Sequence, residues 1–124
     1  MNIVDSSGWL AFLADEPNAG HFLPPLKDTA RLVVPTVTIY EVFKVILREA
    51  GEDQALQSTA AMQAGLVVDL TAQLARQASK LSLAHGLPLA DSIILATARA
   101  FKATIWTQDA DFEKIPDVRF YPKE

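Results

Sequence analysis

Short β-branched runs alternate with longer stretches of helical periodicity, and this alternation constrains the fold more than any other feature of the chain. Parallel strands need long crossovers, so repeated strand–helix units predict a parallel sheet flanked by helices. Ile3-Val4 reads as a first, short strand, and Gly8 to Leu13 as a helix started by Asp5-Ser6-Ser7, all good cap types. A second helix is expected over Ala19 to Leu26, beyond Pro17, with Pro24 and Pro25 leaving its end open. Leu32-Val33-Val34 is a second strand, closed by Pro35. Helical patterns then cover Val37 to Ala50, stopped by Gly51, and Glu52 to Ala64, stopped by Gly65. Leu66-Val67-Val68 is a third strand, followed by a long helix from Leu70 to His85 with Gly86 as its cap. Pro88 to Phe101 is the next helix, Thr104-Ile105-Trp106 a fourth strand, Ala110 to Lys114 a short helix and Val118-Arg119-Phe120 an edge strand. One α/β/α sandwich over residues 1–124, as a single domain, accounts for this order.

Composition narrows the function classes. Half of the 124 residues are hydrophobic, which is too rich for a disordered chain, and no apolar run is long enough to span a bilayer. The opening Met-Asn-Ile-Val-Asp lacks the regions of a signal peptide, and the absence of cysteine excludes disulfides and thiolate metal sites. A cytosolic protein is the plain expectation. The net charge of −4 argues against a nucleic-acid partner, unless bound cations reverse the potential where carboxylates gather.

Four carboxylates stand out by placement. Asp5, Glu41 and Asp109 each come shortly after an expected strand, and Asp91 opens the helix that feeds the fourth. In an open parallel sheet the carboxyl ends of the strands share the edge where ligands bind. Each residue also has an ordinary explanation. Asp5 suits an N-cap, and Glu41 closes a capping box with Thr38 unless the helix begins at Thr36, which puts it in the second turn. Asp91 suits a first-turn acid on the helix dipole, and one of Asp109 and Asp111 caps the turn that follows. Glu41 and Asp91 lie in apolar company, where a lone charge is costly. Four acids in one cleft repel unless cations are bound, and oxygen-only donors select hard ions, Mg²⁺ or Mn²⁺.

These segments resemble the PIN-domain ribonucleases, especially the VapC-type toxins of toxin–antitoxin pairs. Val4-Asp5-Ser6-Ser7-Gly8-Trp9-Leu10 is similar to the family's opening motif, Tyr40-Glu41-Val42 to the second and Leu89-Ala90-Asp91-Ser92 to the third. Trp106-Thr107-Gln108-Asp109-Ala110-Asp111-Phe112 is similar to the last. The resemblance implies a PIN-like three-layer α/β/α sandwich with a short, mainly parallel sheet. It further implies divalent-metal endoribonuclease activity, homodimers and inhibition by a cognate antitoxin. By position, Asp5, Glu41, Asp91 and Asp109 form the acidic site, with Asp5, Asp91 and Asp109 as metal ligands. Ser6 and Thr107 match supporting polar positions, and Asp111 competes with Asp109. Transfer RNA and ribosomal RNA are the targets typical of similar toxins, and the residues do not choose between them.

Lys44 and Arg48 share a helix face with Glu41, and Arg99 lies two turns after Asp91, so these cations are candidate RNA contacts beside a plain reading as solvated charges. His21, His85, Trp9 and Trp106 are assigned structural roles and Asp69 a cap. The helix from Val37 to Leu47 is apolar on more than one face, which suits a dimer interface, an antitoxin groove or burial within the monomer. A receiver-like signalling domain and an inactive PIN-like interaction module are the alternatives. The receiver is disfavoured because serines follow Asp5 and no lysine follows the fourth strand.

Overall fold

A computed structural model describes residues 1–124. The chain runs β1 (Asn2–Val4), α1 (Ser6–Leu13), α2 (Ala19–Lys27), β2 (Val33–Pro35), α3 (Thr36–Ala50), α4 (Glu52–Met62), β3 (Leu66–Val68), α5 (Ala72–His85), α6 (Leu89–Ala100), β4 (Thr104–Thr107) and β5 (Val118–Phe120). Two 3₁₀ turns, Thr29–Arg31 and Ala110–Phe112, precede β2 and follow β4.

Every strand pairing is parallel. β4 lies between β1 and β5, with Ile3 opposite Ile105 and Ile105 opposite Val118. β2 pairs with β3, and an Asn2–Leu32 bridge joins this pair to β1. The strand order is therefore 3-2-1-4-5. The chain builds outward from β1 in one direction and then crosses to its other side, so the switch point falls between β1 and β4.

Period-two alternation in these short strands makes both faces core. Ile3, Val33 and Ile105 face α6 and pack with Ile94, Leu95 and Phe112. Val4 and Val34 face the opposite way and pack with Trp9, Phe22, Val42 and Met62 from α1 to α4. α5 lies against α6 through Ala78, Ile93 and Ala96. The result is the expected three-layer α/β/α sandwich, wholly parallel rather than mainly so.

Several element ends differ from the sequence expectation. α3 begins at Thr36 directly after β2, with Pro35 at its N-cap position, so Thr38 and Glu41 form no capping box. Thr38 is instead fully buried, with its hydroxyl unpartnered. α5 begins at Ala72, not Leu70, because the Thr71 hydroxyl accepts from Leu74 N at 3.1 Å; Thr71, not Asp69, is the cap. Gly86, at φ +66°, ends α5 in the left-handed conformation that glycine adopts without strain. α4 stops at Met62, and residues 110–112 form a single 3₁₀ turn. α2 continues through Pro24 and Pro25 to Lys27. α3 is not covered on all sides within the chain: Val42 is buried, while Tyr40 and Leu47 on its outer face are 63% and 44% exposed.

Candidate active site

The carboxyl ends of β1 and β4 deliver the first two acidic residues side by side. Asp5 follows β1, and its backbone N–H donates to Trp106 O at 3.1 Å, which continues the β1–β4 ladder by one residue. Its side chain is only 1% exposed. Oδ1 accepts from Gly8 N at 2.9 Å and from Ser7 Oγ at 2.7 Å, while Oδ2 accepts from Thr107 Oγ1 at 2.6 Å. Asp5 is thus the N-cap of α1 as well as a site candidate. Gly8 permits this geometry, because a Cβ there would lie 2.6 Å from Val4 Cγ1 and 2.9 Å from the Phe22 ring.

Thr107, fully buried, links the two strand ends. Its hydroxyl donates to Asp5 and accepts from Asp109 N at 2.9 Å. Asp109 Oδ1 in turn accepts from Asp111 N at 2.9 Å and caps the 3₁₀ turn. Asp91, in the first turn of α6, is also buried, and carboxylate oxygens of Asp91, Asp109 and Asp111 approach within 4.8 Å of one another. Asp111 is the exposed member of this group. Glu41, in the second turn of α3, accepts from Ser6 Oγ at 2.5 Å. Asp5, Ser6, Glu41, Asp91 and Asp109 line a cleft of about 510 Å³.

The electrostatics are one-sided. Burial raises the Asp5 carboxyl to about 6, with a smaller contribution from Asp109, against the lowering effect of the Thr107, Gly8 and Ser7 hydrogen bonds. Burial, followed by the charges of Asp109, Asp5, Asp111 and Glu41, pushes Asp91 up to about 8. No lysine or arginine pairs with any of these residues; the ion pairs of the chain are Arg31–Asp28 and Arg48–Glu49. An all-oxygen donor set, partly buried and lacking cationic partners, suits a hard divalent cation.

The expected cationic contacts do not line this cleft. The α3 face that does so runs through Glu41, Val45 and Glu49, one helical turn apart each. Lys44 lies to the other side of Glu41, its ammonium 5.7 Å from the Tyr40 ring, and Arg48 pairs with Glu49. Arg99 is eight residues along α6 from Asp91, about 12 Å of helix, and borders Thr104 at the opposite end of β4. Sequence reasoning also missed Ser7, Gln108, Asn18 and Lys123. Ser7 stands two residues after Asp5 and Gln108 directly after Thr107, but their pairing spans about a hundred residues of chain and leaves no local signature.

The PIN-domain family profile matches residues 3–118. Solved structures with this fold include a toxin–antitoxin complex from Klebsiella pneumoniae, 21% identical over 95% of each chain with a TM-score of 0.79. Another is the sarcin–ricin loop cleaving toxin VapC20 of Mycobacterium tuberculosis, 19% identical with a TM-score of 0.80, covering 98% of this chain and all of that one. A third is DNA-bound VapBC from Salmonella typhimurium, 15% identical over 98% of each chain with a TM-score of 0.74. Comparison with curated proteins returns no significant match. Receiver domains order their strands 2-1-3-4-5, so the 3-2-1-4-5 sheet removes that alternative. With its strand order, its acidic switch point and a profile match across nearly its whole length, this chain belongs to the PIN-domain family.

Proposed function

We propose that this chain is a Mg²⁺- or Mn²⁺-dependent endoribonuclease and the toxin of a toxin–antitoxin pair, acting as one domain over residues 1–124. The observation that carries this reading is the convergence of Asp5, Asp91 and Asp109 on one cleft with no cationic side chain paired to them. Asp5, Asp91 and Asp109 would hold the metal, with Asp111 at the rim. A divalent cation there supplies Lewis acidity, which lowers the pKa of a nearby water and offsets negative charge on a phosphate. Glu41, held by the Ser6 hydroxyl, orients the attacking water. Thr107 fixes the Asp5 carboxylate and the turn that carries Asp109. The toxin role is supported by the shared fold of solved toxin and toxin–antitoxin structures. Inhibition by a cognate antitoxin and assembly as a homodimer belong to the same reading, with transfer RNA and ribosomal RNA as candidate substrates.

Incubation of total RNA with the purified chain tests the activity. Cleavage is expected with Mg²⁺ or Mn²⁺ and not with excess EDTA, and Asp5→Asn and Asp91→Asn are expected to abolish it while retaining the native circular dichroism. Full cleavage by either folded variant overturns the site assignment, and no metal-dependent cleavage by the parent chain overturns the function.

A further inference from the structure

The cleft has one cation on its wall, and it is not one that helix periodicity points to. Lys123, which follows β5, is the only lysine or arginine lining the acidic cleft. It forms no ion pair, although Glu16 and Glu49 line the same cleft.

The two residues that precede it are held by buried polar groups. Tyr121 N donates to Thr107 O at 2.9 Å, extending the β4–β5 ladder beyond β5. Asn18, 3% exposed, donates through Nδ2 to Pro122 O at 3.0 Å, to Tyr121 O at 3.4 Å and to Gln108 Oε1 at 3.1 Å. Gln108, 6% exposed, donates its backbone N–H to Ser7 Oγ at 3.2 Å, and Ser7 donates to Asp5. The Tyr121 ring stacks on His21 at 4.3 Å between centroids and meets Phe22 edge-on at 5.8 Å. One network therefore ties the backbone preceding Lys123 to the strand ends that carry the carboxylates. Lys123 itself is exposed, and the frame fixes where its side chain leaves the backbone, since ordering backbone costs roughly 1–2 kcal/mol per residue.

We propose that Lys123 contacts a backbone phosphate of the RNA strand in the acidic cleft, with Asn18 and Gln108 as its positioning residues. This rests on the nuclease reading above. An ammonium is a compact point charge suited to a phosphate, and such a contact orients a strand without reading its bases. It supplies the positive counterpart that a chain of net charge −4 otherwise lacks at the cleft.

Steady-state cleavage of a single-stranded RNA at several salt concentrations tests this. Lys123→Gln is expected to raise KM about fivefold with kcat unchanged, and to flatten the salt slope of kcat/KM by about 0.7. Lys123→Arg restores both, and Lys80→Gln, on the exposed side of α5, changes neither. Asn18→Ala raises KM in the parent chain and adds nothing in Lys123→Gln, the coupling expected of a positioning residue. A parent-like KM and salt slope in Lys123→Gln, with metal-dependent cleavage intact, overturns the Lys123 contact and spares the nuclease. Absence of cleavage by the parent chain overturns both.

Discussion

Thr107 shows how one hydroxyl can carry two acids. It donates to Asp5 Oδ2 and accepts from Asp109 N, so removing it loosens one carboxylate and the turn beneath another. Thr107→Val keeps the shape and deletes both bonds. Loss of a residue that orients metal ligands typically costs about 10–100-fold, so a drop of that order in kcat/KM is expected, with metal titration showing weaker affinity. Unchanged metal affinity would separate Thr107 from the site. In Asp5 and Asp109 capping and cleft lining coexist, since each accepts from a backbone N–H and still faces the cleft.

At the scale of elements, β1 and α1 are joined so closely that Gly8 packs directly against Val4 and Phe22. Gly8→Ala forces those side chains aside, at a cost of about 1–3 kcal/mol, and displaces the N–H that holds Asp5. Lower thermal stability together with lower activity is the expected pairing. Thr71→Ala removes the cap of α5, far from the cleft, and is expected to cost about 1 kcal/mol without loss of activity. Equal effects of both substitutions on kcat/KM would show that stability alone is being measured. Arg99 shares α6 with Asp91 but lies by Thr104, at the opposite end of the sheet, because one helix spans both ends.

For the whole molecule, the uncompensated acids set a pH dependence. In the metal-free chain, Asp5 and Asp91 titrate near 6 and 8 rather than near 3.8, so the folded state holds more protons across that interval. Stability is therefore fully present below about pH 4 and falls as pH rises through 6 and towards 8. Asp5 alone corresponds to about 3 kcal/mol of that loss. Thermal melts in EDTA should show Tm decreasing from pH 5 to pH 8, with Mg²⁺ raising it most at pH 8, where Asp5 is ionised and Asp91 is at its midpoint. A metal-free Tm that rises over this range contradicts the uncompensated cluster.

The alternation of strands and helices and the acidic residues shortly after the first, second and fourth strands are local patterns, and residue types and spacing alone determined them. Periodicity reports which residues share a face of one element, because neighbouring side chains point in directions set by the backbone. It carries no information on how elements are turned toward one another. That is why Asp5, Glu41, Asp91 and Asp109 can be picked out from the sequence and do line one cleft, while the candidate contacts Lys44, Arg48 and Arg99 fall outside it. Only the tertiary structure decided that α3 starts at Thr36 and turns Glu41, Val45 and Glu49 inward. It alone brought Asn18, Gln108 and Lys123 together, since contacts across some ninety to a hundred residues depend on strand order and on layers closing around a shared core.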